Sequence, residues 1–233
     1  MYIKTTFSLI IALSFAAPCL SQSKSYSDAD IRQAVEDAQS RMDALKARQG
    51  KVMGRMLGGK TGCVAGDCFG GTGTYVNADG SFYEGMHMSG VPSGKGTYIW
   101  ADGAEYRGDF RKGLKHGQGT YHTAAGDQYT GSFAEGYPSG YGTTLYVSGD
   151  RYVGDHAQGI PEGIGTYYST DGWVYEGDHL NGESHGQGTY YFSNGQKYVG
   201  AFENGAFNGF GTAFYPTGEV FFRGQWKNSQ PVS

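Results

Sequence analysis

Long apolar runs, basic charge and cysteine are all scarce in this 233-residue chain, and each shortage excludes something. The longest apolar stretch, Phe7 to Ala17, is about half of the ~20 residues a membrane-crossing helix requires. It follows Lys4 and precedes Pro18-Cys19-Leu20-Ser21, the layout of a secretory signal peptide (residues 1–21), with cleavage expected near Ser21 and Gln22 as the mature start. Acylation at Cys19 is the lipoprotein alternative, for which Pro18 is a poor neighbour; an uncleaved anchor is another. Two further cysteines remain, Cys63 and Cys68. In an oxidising compartment such a pair is expected to be bridged. Free thiols and a metal stay open as alternatives, although zinc wants four ligands. Residues 60–233 hold ten Lys/Arg and seventeen Asp/Glu, a net of −7. Anionic lipid repels such a surface overall, and nucleic-acid recognition needs a basic footprint that it lacks. Catalytic signatures are missing as well. No G-x-S-x-G elbow occurs, no P-loop is expected, and Gly71-Thr72-Gly73 and Gly94-Lys95-Gly96 lack the third glycine of a dinucleotide fingerprint. The chain reads as a non-enzyme without a cofactor.

What is abundant is glycine, 41 residues, together with 19 tyrosines and 13 phenylalanines. Disordered glycine-rich tails are poor in aromatics, so this composition points to short strands joined by tight turns. Both residue types recur with a period of 23. Tyr83, Tyr106, Tyr129, Tyr152, Tyr175 and Tyr198 are evenly spaced, each followed two residues later by glycine, from Gly85 to Gly200. Further glycine series run from Gly96 to Gly211 and from Gly103 to Gly218 at the same step. A register held over six units indicates one small unit copied and stacked, with function on extended surfaces rather than in one deep pocket. Within a unit, Tyr106–Phe110 reads as a strand, Arg111–Gly117 as a loop and Gly119–His122 as the return strand. Turns such as Ala101-Asp102-Gly103 and Ser193-Asn194-Gly195 then lead to the next unit. Short connections make successive strands antiparallel neighbours, so the expected fold is mainly β: one twisted, single-layer antiparallel sheet of about a dozen strands.

Residues 22–59 differ in character. Glycine is absent from 26 to 49. Ser27 can cap a helix, with Asp28 and Asp30 in its first turn. Apolar side chains at Ile31, Val35, Ala38, Met42, Leu45, Val52 and Met56 follow the steps of an amphipathic helix. This helix is expected to fold back on an apolar end of the sheet; a dimerising coiled coil and an extended stalk are the alternatives. Gly58 to Gly62 forms the hinge.

The pattern GxGTYxxxxGxxYxG at this period, clearest in Gly117-Gln118-Gly119-Thr120-Tyr121 and Gly186-Gln187-Gly188-Thr189-Tyr190 with His116 and His185 before them, resembles the MORN repeat. The resemblance covers about Thr61 to Lys227, six full units within a domain of residues 60–233, with a partial unit at each end. It implies an elongated single-layer sheet with a groove lined by the repeated aromatics. The chain departs from the pattern at Thr144 and Ala213, which replace tyrosine. His87, His156 and His179 stand where other units keep Phe110, Phe133 and Phe202. An extra residue before Phe222 should slip or bulge the last unit, as suits a cap.

The expected function is a secreted or periplasmic scaffold. Its six repeat tyrosines would offer rigid contact area to a protein or envelope component. Arg107, Arg111, Lys112, Lys115 and His116 cluster in one unit and form a candidate patch for a phosphate or an acidic partner, which makes weak phospholipid contact the alternative function. A homodimer could form through the N-terminal helix or the terminal repeat. His156 and His179 share a register in adjacent units, but no third metal ligand is evident.

Overall fold

The computed structural model describes residues 61–232. The expected signal peptide, Cys19, the helix and residues 58–60 of the hinge lie outside the described residues.

The strands, in chain order, are β1 (Gly62–Gly66), β2 (Thr72–Val76), β3 (Phe82–Met88), β4 (Val91–Ile99), β5 (Glu105–Arg111), β6 (Leu114–His122), β7 (Gln128–Ala134) and β8 (Tyr137–Leu145). They continue as β9 (Arg151–Ala157), β10 (Ile160–Tyr168), β11 (Val174–Leu180), β12 (Glu183–Tyr191), β13 (Lys197–Glu203), β14 (Ala206–Phe214), β15 (Val220–Lys227) and β16 (Gln230–Pro231). All sixteen form one sheet whose spatial order is the chain order, and every pairing is antiparallel, from β1–β2 to β15–β16. The count exceeds a dozen because the partial units also fold: β1–β2 and β15–β16 flank the twelve strands of the six full units.

The 23-residue period now has a physical meaning. A seven-residue strand such as β5, a two-residue turn, a nine-residue strand such as β6 and a five-residue turn complete one unit. The expected loop from Arg111 to Gly117 is only the turn Lys112-Gly113. Both of its residues have positive φ, 52° and 80°, the conformation that matches the twist of a tight hairpin. Gly117 lies within β6 and, at φ 58°, occupies a bulge where Gly108 faces Gly119 but Asp109 faces His116. The Asp109 carboxylate accepts the Gln118 amide across it at 3.0 Å, and Asp178 does the same for Gln187 at 2.8 Å. Asp109 and Asp178 therefore close bulges.

Strand pairing aligns each repeat position into a file across the sheet. Glycine runs without a break from Gly73↔Gly85 on β2–β3 to Gly211↔Gly224 on β14–β15. Beside it lies the aromatic file, Tyr98↔Tyr106 on β4–β5 and Tyr121↔Tyr129 on β6–β7 among its pairs. Side chains alternate along a strand, so these tyrosines define one face. The opposite, polar face carries files such as Thr97↔Arg107 and Thr120↔Thr130.

Among the described residues the two larger core clusters sit on the tyrosine face. Each repeat tyrosine folds over the glycines of its own and the next strand, and its hydroxyl donates to a backbone carbonyl: Tyr83 to Met86 at 2.9 Å, Tyr152 to Asp155 at 2.9 Å. The aromatic ring four residues on fills the gap to the neighbouring tyrosine. Tyr106 meets Phe110 edge-on at 5.0 Å and Phe133 at 4.8 Å. Where histidine stands instead, Tyr129–His156 and Tyr152–His179 keep the same geometry at 4.8 Å. Aromatic pairs of this kind contribute about 0.5–1.5 kcal/mol each beyond area burial. At the C-terminal end Val220 and not Phe221 pairs with Phe214, which is the bulge the extra residue predicts. There Trp226 and Phe207 pack against Tyr198, Phe207 stacked on it at 4.0 Å, and the Ala213 site lies buried among them.

Candidate binding faces

The six repeat tyrosines are interior. Tyr83, Tyr106, Tyr129, Tyr152, Tyr175 and Tyr198 are all at most 5% exposed. They cannot supply contact area to a partner, contrary to the sequence-based expectation. The sheet uses these rings to cover its own backbone. Burial pushes the Tyr83, Tyr129 and Tyr198 hydroxyls up to about 12, an effect only partly offset by their backbone hydrogen bonds.

What the tyrosine face presents outward is the second set of aromatics, from the nine-residue strands and the adjoining turns, all half-buried. Tyr98 and Trp100 lie 4.5 Å apart, with Tyr121 5.6 Å beyond Trp100. Further along, Trp173 is stacked between Tyr167 and Tyr190, 5.2 Å from each, and Tyr190 continues to Phe192 at 4.7 Å. The file is interrupted at Thr144, whose hydroxyl lies 2.9 Å from His156 Nε2. His156 Nδ1 faces the Gly154 carbonyl at 3.1 Å. A carbonyl only accepts, so Nδ1 carries a proton. Burial holds His156 and His179 below the ordinary histidine value, against the opposing pull of these carbonyls and of Asp155 and Asp178. The two histidines are separated by the Tyr152 ring, 5.0 and 4.8 Å from them. Among the described residues no group of three metal-ligating side chains occurs.

The basic cluster does not converge. Arg107, Arg111 and His116 belong to the polar face, and Lys112 occupies the turn. Arg107 donates to Glu105 at 3.1 Å and Arg111 to Glu135 at 2.9 Å. Arg111, Lys112 and His116 share one shallow hollow with Leu114 and Glu135. Lys115 faces Phe110 and so lies on the tyrosine face, its ammonium 3.9 Å from the centre of the Tyr121 ring and 5.3 Å from that of Trp100. Burial lowers its pKa. Strand alternation places two sequence neighbours, Lys115 and His116, on opposite faces, which a loop over Arg111–Gly117 did not predict.

Cys63 and Cys68 are bridged, with Cα atoms 5.8 Å apart. The bond closes the β1–β2 turn, in which the Asp67 carboxylate accepts the amides of Phe69 and Gly70.

Contrary to the expectation, a P-loop spelling is present. Gly54-Arg55-Met56-Leu57-Gly58-Gly59-Lys60-Thr61 matches G-x-x-x-x-G-K-[ST]. A P-loop needs a helix to start at its lysine and threonine, so that free amides cradle the phosphates. Here Gly62–Gly66 is a strand, so that cradle has no helix to complete it. The half-buried Trp100, Trp173 and Tyr190 were also passed over. Their signal is the position of both tryptophans beside the five-residue turns.

A family model described as MORN repeat matches six consecutive windows, residues 83–105, 106–128, 129–151, 152–174, 175–197 and 198–220. A search of curated proteins finds no match. The six windows coincide with the units defined above by β3 to β14.

Proposed function

The chain belongs to the MORN-repeat family, and on that premise we propose that it is a non-enzymatic repeat scaffold, secreted or periplasmic, that binds a protein or an envelope component along its tyrosine face. The observation that carries the reading is the two-layer use of aromatics on that face. The fully buried tyrosines form a rigid bed, and Tyr98, Trp100, Tyr121, Trp173 and Tyr190 lie on it half-exposed. Rigid aromatic side chains that keep a polar tip in water give large contact area at low entropic cost. Their extent over several units suits an extended ligand lying across the strands. The signal-like residues 1–21 support the location.

Pull-down from the native envelope with the wild type and with Trp173→Ala tests this. The expected result is one or more partners retained by the wild type and lost in the variant, with β-sheet circular dichroism unchanged in both. Equal recovery by both proteins would remove the tyrosine face from the reading.

A second reading, peripheral phospholipid binding, rests on the hollow shared by Arg111, Lys112 and His116. Sedimentation with anionic vesicles separates the two. Salt-sensitive binding lost in Arg111→Glu/Lys112→Glu supports lipid, and absence of binding to any anionic vesicle excludes it.

A further inference from the structure

Apolar side chains scattered singly over a surface mean little, but a contiguous exposed row marks an interaction surface. Such a row follows one margin of the polar face, where the two-residue turns lie. At each of these turns the last residue of a seven-residue strand pairs with the first of the nine-residue strand: Arg111 with Leu114, Ala134 with Tyr137, Ala157 with Ile160 and Leu180 with Glu183. Leu114, Tyr137, Ile160 and Leu180 are 45%, 58%, 46% and 40% exposed. Equivalent positions lie two strand spacings apart, about 9.6 Å, so the row from Leu114 to Leu180 is roughly 29 Å long. The turns that carry it are chained together. The Gly136, Gly159 and Gly182 amides donate to the Lys115, Pro138 and Pro161 carbonyls of the preceding unit at 3.0, 2.9 and 2.9 Å. Leu114 reaches over Gly136, and Ile160 over Gly182. The margin is thus a rigid rail, and its charge is polarised. Arg111 and Lys112 stand at the β5–β6 turn, whereas Glu162, Glu183 and Glu203 flank the later turns, where no Lys or Arg stands. Arg111 is held by Glu135, but neither Lys112 nor Glu183 has an ion-pair partner among the described residues.

We propose that this margin docks a second copy of the chain, running antiparallel about a two-fold axis midway between Tyr137 and Ile160. In such an isologous contact each residue meets its counterpart's partner twice. The axis sets the β7–β8 turn against the β9–β10 turn of the second copy, and the β5–β6 turn against its β11–β12 turn. Both pairings are complementary. Tyr137 meets Ala157 of the second copy and Ile160 meets its Ala134, large against small. Leu114 meets Leu180, while Arg111 and Lys112 meet the unpaired Glu183. Two copies aligned in the same direction would instead set Arg111 and Lys112 against themselves, and like charges across an interface are costly. This self-complementarity of size and charge is what identifies the occupant. Four units with about fifteen residues from each copy bury roughly 1,000 Å² in total, the lower limit for a specific interface. The inference goes beyond the partner-binding reading and does not depend on it, because the tyrosine face stays open on both copies. The dimer does cover the hollow lined by Arg111, Lys112 and His116, so it competes with anionic lipid for that hollow.

Sedimentation equilibrium of the full chain tests it. The expected result is a monomer–dimer equilibrium with a Kd on the order of 10–100 μM, as suits an interface at the lower size limit, and weaker at high salt. Lys112→Glu and Glu183→Lys should each raise the Kd about tenfold, because each contact occurs twice across the axis. Lys112→Glu/Glu183→Lys should return it to within about threefold of the wild type, as coupled partners do. The two residues are three units apart within one chain, so only contact between copies lets one reversal repair the other. Tyr137→Asp, at a position exposed in the monomer, should raise the Kd at least about thirtyfold with circular dichroism unchanged. A monomer at every concentration up to about 1 mM would overturn the inference. So would a dimer whose Kd ignores Tyr137→Asp, or one in which the two charge reversals fail to repair each other.

Discussion

The Tyr106 ring lies so closely over Gly119 that a β-carbon there would come within 2.5 Å of ring carbon Cε2. The tyrosine cannot retreat, because its hydroxyl donates to the Asp109 and His116 carbonyls at 2.9 and 3.1 Å. Tyrosine and glycine are thus two halves of one contact, repeated along the sheet.

Gly119→Ala should therefore destabilise by about 2–3 kcal/mol, as overpacking against a fixed ring does. Gly218, at φ 90° with open space around its α-carbon, provides the comparison. Gly218→Ala should cost only the backbone strain, about 1 kcal/mol. Denaturant midpoints of the two variants measure the difference, and equal midpoints would contradict the packing explanation.

The histidines make stability depend on acidity. His156 and His179 have pKa values lowered in the fold by burial, so the unfolded chain binds protons more readily. Their contribution is intact above the ordinary histidine pKa of about 6.5 and is lost as pH falls from there through the lowered folded values. Thermal midpoints should drop between pH 7 and pH 5. His156→Phe/His179→Phe, which installs the residue of the same register at Phe110 and Phe133, should flatten that drop. An unchanged pH slope in the double variant would show that other groups carry it.

Reduction of Cys63–Cys68 should lower stability by about 2 kcal/mol, the chain-entropy value for so short a loop. The loss should be confined to the first hairpin. Hydrogen exchange after reduction should rise in β1 and β2 and stay unchanged from β5 onward.

Lys115 and Arg111 should respond differently to truncation despite their similar charge. Lys115 packs over Tyr121 and Trp100, so Lys115→Ala should cost about 1 kcal/mol in cation–π attraction and stem packing. The Arg111–Glu135 pair is exposed on both sides, and Arg111→Ala should change stability by less than about 0.5 kcal/mol. Urea unfolding of both variants at low and high salt checks the contrast.

Lys112→Asn should stabilise by about 0.5 kcal/mol. Lys112 holds φ 52°, and Asn181 and Asn204 hold the same position in later units. Asparagine tolerates this conformation better than lysine. A lowered thermal midpoint would indicate that the Lys112 side chain matters to the turn.

Much of this architecture was legible in particular residues. The glycines two residues after each tyrosine and those thirteen after it are the two halves of the glycine file. The extra residue before Phe222 marks the bulge at Val220. Two other glycine series were there to be read, one at Gly113 for the two-residue turn and one at Gly117 for the bulge. Missing them made Arg111–Gly117 a loop. With the loop went the notion that Arg107, Arg111, Lys112, Lys115 and His116 share one surface.

The sequence by itself determined the repeat, the antiparallel neighbour order and the family, because each follows from local turn chemistry and a period that any reading of the chain contains. The tertiary structure alone decided which aromatics are core and which are surface. Tyr106 and Tyr121 are the same residue type and sit opposite each other in the register, yet one is fully buried and the other half-exposed. The difference is that the Tyr106 ring folds over glycines on two strands while the Tyr121 ring lies against Trp100 and Lys115. Burial depends on what lies over a side chain, and the pairing register, not the residue type, decides which ring or strand that is.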